Sequence, residues 1–341
     1  MSTITTTQVH DELKKYVKVN TKVIALDINK AMKSPLSKYA RVIGKVKGKF
    51  PQFHSLVSRV VQGFGAAKWT PMGQAQFQAK ILRNYRQKVN FEVKPEEIHG
   101  TYLAEMLEEG KKQADQPISK YIIEQLLLPQ VAEDTAELTI DGEYDPAKLG
   151  QFGFSLLGMN SIITQGKTDV KNPFFKIPVP VPTAVNILDV VLKFEKNLPR
   201  KMRRKGKCKY IFMSDTMADN YSLAYAEEYG ENNLVQKNVL KTVLGKREIV
   251  GIPWLNDDII FTTPVGKNGN LGELKDLDNP GRISKIEEID YIVKIFMDFY
   301  LGFDFLINEM VAVADSGIVR GLGNTAKMEA YYPGESETSI A

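Results

Sequence analysis

Residues 50–93 read FPQFHSLVSRVVQGFGAAKWTPMGQAQFQAKILRNYRQKVNFEV, and this stretch decides the fold class. In its first half Leu56, Val57, Val60 and Val61 sit among Ser and Arg. In its second half Phe77, Ile81, Tyr85, Val89, Phe91 and Val93 recur with partial two-residue alternation, the period of a β-strand. Between the halves lie Gly63-Phe64-Gly65 and Trp69-Thr70-Pro71-Met72-Gly73, whose glycines and proline suit chain reversal. The pattern predicts a two-stranded projection over 50–94. An isolated hairpin is marginal in water, so it needs another surface to lie on.

Upstream, residues 1–49 carry mixed signals and few periodic stretches, and they read as an arm that needs a partner to become ordered. The charge is uneven. Residues 1–90 hold 17 Lys and Arg against three acids, a balance of +14, so the chain's total of +4 leaves −10 on the rest. Such asymmetry fits an end that meets a polyanion or an acidic neighbouring surface, or a solvated basic arm.

Downstream, Ile118, Ile122 and Leu126 repeat every four residues after Pro117, which predicts a helix with Asp115 or Gln116 as its cap. Pro129 is expected to kink or end it, with Val131 to Leu138 able to continue beyond the kink. Thr183 is expected to cap a helix carrying Ile187, Val191 and Phe194, ending ahead of Pro199. Lys207 to Met213 reads as a buried strand, and Ser214 caps a helix that stops at Gly230. Two short strands are expected over 248–255 and 258–263. In the last segment Tyr291, Val293, Ile295 and Met297 alternate, and Phe303, Phe305, Ile307 and Val311 follow Gly302. That reads as a strand pair, or as one strand broken at the glycine. Residues 316–341 read as a loose tail.

Composition and motifs narrow the function. Of 341 residues, 43% are hydrophobic and 25% charged, an ordinary balance for a packed core. No apolar run reaches the roughly 18 residues of a membrane span, and Met1 to His10 lack the basic and apolar regions of a secretory signal. Cys208 is the single cysteine, which excludes an internal disulfide and fits a reducing cytoplasm. His10, His54 and His99 stand too far apart for metal-ligand spacing. No phosphate loop or nucleophile elbow occurs, and Gly321-Leu322-Gly323 reads as a tail turn. Asp257-Asp258 and Asp276/Asp278 read as surface turn acids, and Arg200 to Lys205 reads as a solvated loop or an anion contact. No catalytic, cofactor or metal residue is assigned.

The order of these features resembles that of tailed-bacteriophage major capsid proteins, with the Hong Kong 97-like fold. An arm is followed by a hairpin with a Thr-Pro-x-Gly turn, here Thr70-Pro71-Met72-Gly73, then by Lys88-Val89-Asn90-Phe91-Glu92-Val93 and a long helix from Pro117 to about Glu137. Leu198-Pro199 and the basic run, Lys209 to Ser214, Tyr229-Gly230, Gly251-Ile252-Pro253, Asp258 to Pro264 and Phe299 to Phe305 continue the likeness. It covers roughly 38–315. In detail it is most similar to capsid proteins of phages of Bacteroidetes, including crAss-like phages.

The resemblance implies an α+β subunit of several parts. They are an N-terminal arm (1–49), an extended-loop hairpin (50–94), a peripheral domain with spine helix (95–140), an axial domain (141–285), peripheral C-terminal strands (286–315) and a flexible tail (316–341). It implies hexamers and pentamers that form an icosahedral virion shell around double-stranded DNA, assembled in the host cytoplasm. Portal, scaffolding or auxiliary proteins would be partners, and neither membrane nor cofactor is implied. The inter-subunit contact is expected at Phe64, Trp69, Pro71, Phe77 and Ile81 on the extended loop, where covering apolar surface supplies adhesion. Some members fuse subunits through a Lys–Asn bond from this loop, and Lys68 and Lys80 are the lysines it offers. The alternatives are an encapsulin-type compartment, an enzyme with a dispersed active site, and a DNA-binding protein using the basic third.

Overall fold

The computed structural model describes residues 5–57, 59–63, 73, 75–108, 117–204, 207–230, 240–278, 281–335 and 338–339. In chain order the elements begin with α1 (Thr6–Val19), α2 (Thr21–Ala31), β1 (Arg41–Ile43), β2 (Lys49–Val57), β3 (Ala75–Arg83), β4 (Tyr85–Val93) and α3 (Pro95–Glu108). Next come α4 (Ile118–Lys120), a π-helical segment (Tyr121–Leu127), α5 (Leu128–Asp141), α6 (Met159–Thr168), β5 (Phe175–Pro178), α7 (Ile187–Lys196), α8 (Arg200–Arg203), β6 (Tyr210–Ser214) and α9 (Asp215–Tyr229). The chain closes with β7 (Glu248–Ile252), β8 (Phe261–Thr262), β9 (Leu271–Leu274), β10 (Arg282–Ile289), β11 (Ile292–Phe305), β12 (Ala312–Asp315), β13 (Val319–Arg320), α10 (Thr325–Tyr331) and β14 (Thr338–Ser339). The class is α+β.

Two five-stranded sheets organise the molecule. The first is built on β11, a single 14-residue strand whose odd-numbered residues Val293, Ile295, Met297, Phe299, Leu301, Phe303 and Phe305 are buried. Strict alternation along so long a strand buries one face and leaves the other half-exposed. β10 and β4 flank its first part, both antiparallel, with β4 in register from Val293↔Val93 to Leu301↔Tyr85. At Gly302 the partner changes to β9, which itself pairs in parallel with β1. A Cβ at Gly302 would lie 2.5 Å from the Arg83 carbonyl oxygen, so only glycine fits where the incoming hairpin strand crosses. Neither a strand pair nor a strand broken at Gly302 is found: one strand runs through it unbroken, and only its partner changes.

The buried face of this sheet carries the helices. Ile122, Ile123, Leu127, Val131 and Ile140 of the long helix share one core with Val293, Ile295 and Met297. Pro129 does not end that helix. The π segment widens the turn just ahead of it, with the Leu128 N–H bonded to the Ile123 carbonyl, so the ladder is already shifted where proline lacks its donor. Pro117, with extended backbone, is itself the helix cap, and residues 115 and 116 lie outside the described residues.

The arm departs from expectation. Thr5 and Gln8 form a reciprocal capping box, and Val9, Leu13, Ile24 and Ile28 on α1 and α2 are buried in the same core. Residues 6–31 therefore order against their own chain. Their spacing of four within each helix is short, and the lysines between obscure it.

The second sheet runs β5-β12-β8-β6-β7. Ser214 Oγ accepts from the Met217 N–H, and Gly230 (φ 78°) closes α9, as the sequence predicts. Helix α7 starts at Ile187 rather than near Thr183, because Thr183 and Asn186 are tied in a turn by mutual side-chain bonds. Phe194, Ile211, Met213, Tyr221 and Ile260 form the core beneath α7 and α9. A buried ion pair, Arg247 to Glu195 at 2.5 Å, joins the residue just ahead of β7 to α7, and Arg247 Nε also donates to the Cys208 carbonyl.

The strands do not divide between sheets at the expected positions. β9 and β10, within 271–289, pair in the first sheet, while β12 pairs in the second. β4, expected as part of the hairpin, belongs to the first sheet. The tail is not loose over its described part: Leu322, Met328, Tyr331 and Tyr332 are buried in the second core, and Arg320 pairs with Glu335 at 3.0 Å. Aromatic residues this late in the chain offset the ordering cost that its Gly, Ser and Thr content implies.

Candidate assembly surface

Strands β2 and β3 pair antiparallel over nine residues, from Lys49↔Arg83 to Val57↔Ala75. Because side chains alternate, the pair has two distinct faces. Phe50, Gln52, His54 and Leu56 turn toward the molecule. Pro51, Phe53, Ser55 and Val57 turn to solvent, opposite Ile81, Ala79, Phe77 and Ala75 respectively. Phe53 is 67% exposed, Val57 62%, Phe77 81% and Ile81 60%. Val60 and Val61 beyond the strand are exposed as well.

The face against the body mixes Gln52, His54, Gln78 and Lys80 with Phe50, Leu56 and Leu82, and the face in water is apolar except for Ser55 and, at the hairpin base, Lys49 and Arg83. The inner face is tied down by directed bonds. Lys80 Nζ donates to Asp304 Oδ1 at 2.6 Å, to the Phe305 carbonyl at 2.7 Å and to Asn308 Oδ1 at 2.7 Å. His54 Nε2 meets the Tyr331 hydroxyl at 2.5 Å, and Arg59 donates to the Pro333 carbonyl at 2.9 Å. At the hairpin base Phe50 packs with Val46, Leu82, Leu274 and Leu306, and the Asn84 N–H bonds the Gly48 carbonyl at 2.6 Å.

Lys80 is thus committed within its own chain, and Lys68 lies outside the described residues. A cleft of about 420 Å³ separates the hairpin from α6 and β11, with Lys80, Gln165, Asp169 and Asp304 in its walls. Burial pushes the His54 imidazole pKa down, opposed by the nearby Glu309 carboxylate, and its buried Nδ1 has no partner among the described residues.

Of the expected contact residues, Phe77 and Ile81 stand on the exposed face, whereas Phe64, Trp69 and Pro71 lie outside the described residues. Leu56 faces inward onto the second core. Sequence reasoning missed Phe53 and Pro51. The two-residue alternation Pro51, Phe53, Ser55, Val57 carried that signal, hidden by the inward Phe50 and Leu56.

The other candidate groups have structural engagements. Burial pushes the Cys208 thiol up to about 11, which keeps it protonated and poorly nucleophilic. Asp257 accepts from Ser214 Oγ, Asp276 faces Lys47, and Asp278 faces Lys45. Lys201 of the basic run is drawn inward to the Tyr331 carbonyl. Leu322, between Gly321 and Gly323, is buried in the second core. Among the described residues no group of three or more His, Cys, Asp or Glu side chains is placed to hold a metal ion, and no helix is long and apolar enough to cross a membrane.

No protein-family model matches the chain, and no curated protein matches it. Solved structures similar to it include the satellite phage P4 procapsid with its size determination protein, at 11% identity over 87% of this chain and 99% of that one, TM-score 0.48. The capsid of the native GTA particle is similar at 12% identity over 82% and 95%, TM-score 0.48. A virus-like particle from Pyrococcus furiosus is similar at 10% identity over 86% and 96%, TM-score 0.44.

Proposed function

We propose that this chain is a structural shell subunit, a major capsid protein of the tailed-bacteriophage type with the Hong Kong 97-like fold. One observation carries the proposal: a hairpin anchored to its own body by polar contacts presents Phe53, Val57, Phe77 and Ile81 to water. A contiguous apolar face of this kind marks a surface that a partner covers. Laid on a neighbouring copy, it removes apolar area from water at about 25 cal/mol per Å². Symmetry repeats the contact, so many weak copies close a shell.

In this reading the hairpin is the extended loop, the first sheet with its long helix is the peripheral domain, and the second sheet is the axial domain. Hexamers and pentamers enclose double-stranded DNA in a virion assembled in the host cytoplasm, with portal, scaffolding or auxiliary proteins as partners. The finer likeness to capsid proteins of Bacteroidetes and crAss-like phages belongs to the same proposal.

Negative-stain microscopy of the purified chain tests it. Closed shells of uniform size, or hexameric and pentameric rings, are the expected images. A persistent monomer at high concentration overturns the reading. Shells that form in the absence of any phage protein and enclose a protein cargo favour an encapsulin-type compartment instead.

A further inference from the structure

The arm helices carry a second unpartnered face. Opposite the buried Ile24 and Ile28, α2 presents Lys22, Val23 and Leu26 to solvent, and the end of α1 adds Lys15, Lys18 and Val19. Leu26 is 61% exposed and Val19 74%. No acidic residue occurs between Leu13 and Leu26. The three carboxylates of these helices are already engaged, Asp11 by His10, Glu12 by Ser119 and Asp27 by Lys30. The face is therefore both basic and apolar. A phosphate backbone would pair its lysines and leave the aliphatic side chains uncovered, so nucleic acid fits it poorly. An acidic, partly apolar helix fits both features.

Helix α9 has that composition. Its buried side is Met217, Ala218 and Tyr221. On its solvent side Asp215, Asp219, Leu223 and Glu227 follow at intervals of four, a single stripe along the helix. Leu223 is 65% exposed, and Asp215–Tyr229 contains no basic residue. α9 packs on the second sheet and the arm on the first, in separate cores.

We propose that the Lys15–Leu26 face of one copy docks on the Asp215–Glu227 face of α9 in a second copy. Two different patches meeting in this way make a heterologous contact, which closes into a ring when the rotation allows. Opposed charges set the register and orientation, and Val19, Val23, Leu26 and Leu223 supply the dry centre. The inference rests on the shell reading above.

Charge reversal on the full-length chain tests it, with assembly followed by sedimentation velocity. Lys18→Glu with Lys22→Glu, and separately Asp219→Lys with Glu227→Lys, are each expected to raise the concentration for half-assembly about tenfold or more, since each places like charges together. Combining all four changes is expected to restore assembly to within about twofold of the parent. Each protein's thermal midpoint checks folding. Should a reversal unfold the chain, the neutral pairs Lys18→Gln with Lys22→Gln and Asp219→Asn with Glu227→Gln replace it, and loss of the parent's salt sensitivity is the expected result. Reversals without effect, or a four-site variant no better than the worse pair, overturn the contact. A parent chain that never assembles instead defeats the shell reading.

Discussion

Strands β3 and β4 are neighbours in the sequence, separated only by Asn84, and each is nine residues long, yet they meet water in opposite ways. Along β4 the outward residues are Arg86, Lys88, Asn90 and Glu92, while Tyr85, Val89, Phe91 and Val93 turn inward. Along β3 the outward residues are Phe77, Ala79, Ile81 and, at the base, Arg83, while Lys80 turns inward to Asp304 and Asn308. The period is the same and the polarity is inverted. β4 lies beside β11 over a core of helices, whereas β3 has only β2 beside it and an open cleft beneath. An outward apolar face is a defect in a strand whose partners are all in one chain. In a strand meant for another copy it is the contact itself.

The largest expected effect separates assembly from folding. Phe53→Asp with Phe77→Asp is expected to abolish particles under conditions where the parent forms them, while the urea midpoint corresponds to a change within about 0.5 kcal/mol, as for other exposed positions. A loss of monomer stability instead would show that the hairpin face is covered within one chain. The same chemistry on β4 should do the opposite: Val93→Asp puts an unpaired carboxylate at a buried position and is expected to cost roughly 3 kcal/mol or more in denaturant unfolding.

Smaller changes probe how the hairpin is held. Lys80→Met removes three donated bonds and leaves Asp304 without its cation. Amide exchange across β2 and β3 is expected to speed up about tenfold, with exchange in β4 unchanged. Uniform protection in both strand pairs would mean that side-chain packing alone seats the hairpin.

The smallest expected effect is a pH dependence at His54. Its pKa is lowered in the docked hairpin, chiefly by burial, so docking favours the neutral imidazole. The contribution is complete above the ordinary histidine value of about 6.5 and is lost as pH falls from there through the lowered pKa. Glu309 and Lys327 also face the ring, with opposed effects, and Tyr331 holds Nε2. Amide exchange of residues 49–57 measured from pH 7.5 to 5 should rise in the parent. In His54→Asn the rise should vanish, once intrinsic exchange is corrected for.

Much of the architecture was legible because local signals agreed with tertiary ones. Ser214 and Gly230 bracket α9, the alternation over 291–305 is β11, and the four-residue repeat after Pro117 is the long helix. Where they disagreed, reading failed. The arm looked partnerless because its apolar positions, Val9 and Leu13 on α1 and Ile24 and Ile28 on α2, are diluted by lysines. The tail looked loose because Met328, Tyr331 and Tyr332 bury themselves only once the second core exists to receive them. Sheet membership of β9 and β12 depends on strands far away in sequence, β1 for one and β5 for the other, which no local period encodes.

For residues 50–93, the sequence by itself determined extended strands, a reversal, and an apolar content too high for a projection exposed to water, but it read as two strands where there are three. Only the tertiary structure decided which side chains face out. Alternation states that Phe53 and His54 lie on opposite faces, and a shift of one residue in docking would exchange them. The choice is made by Lys80 reaching Asp304 and Asn308 and by His54 reaching Tyr331, partners that lie more than 200 residues further along the chain.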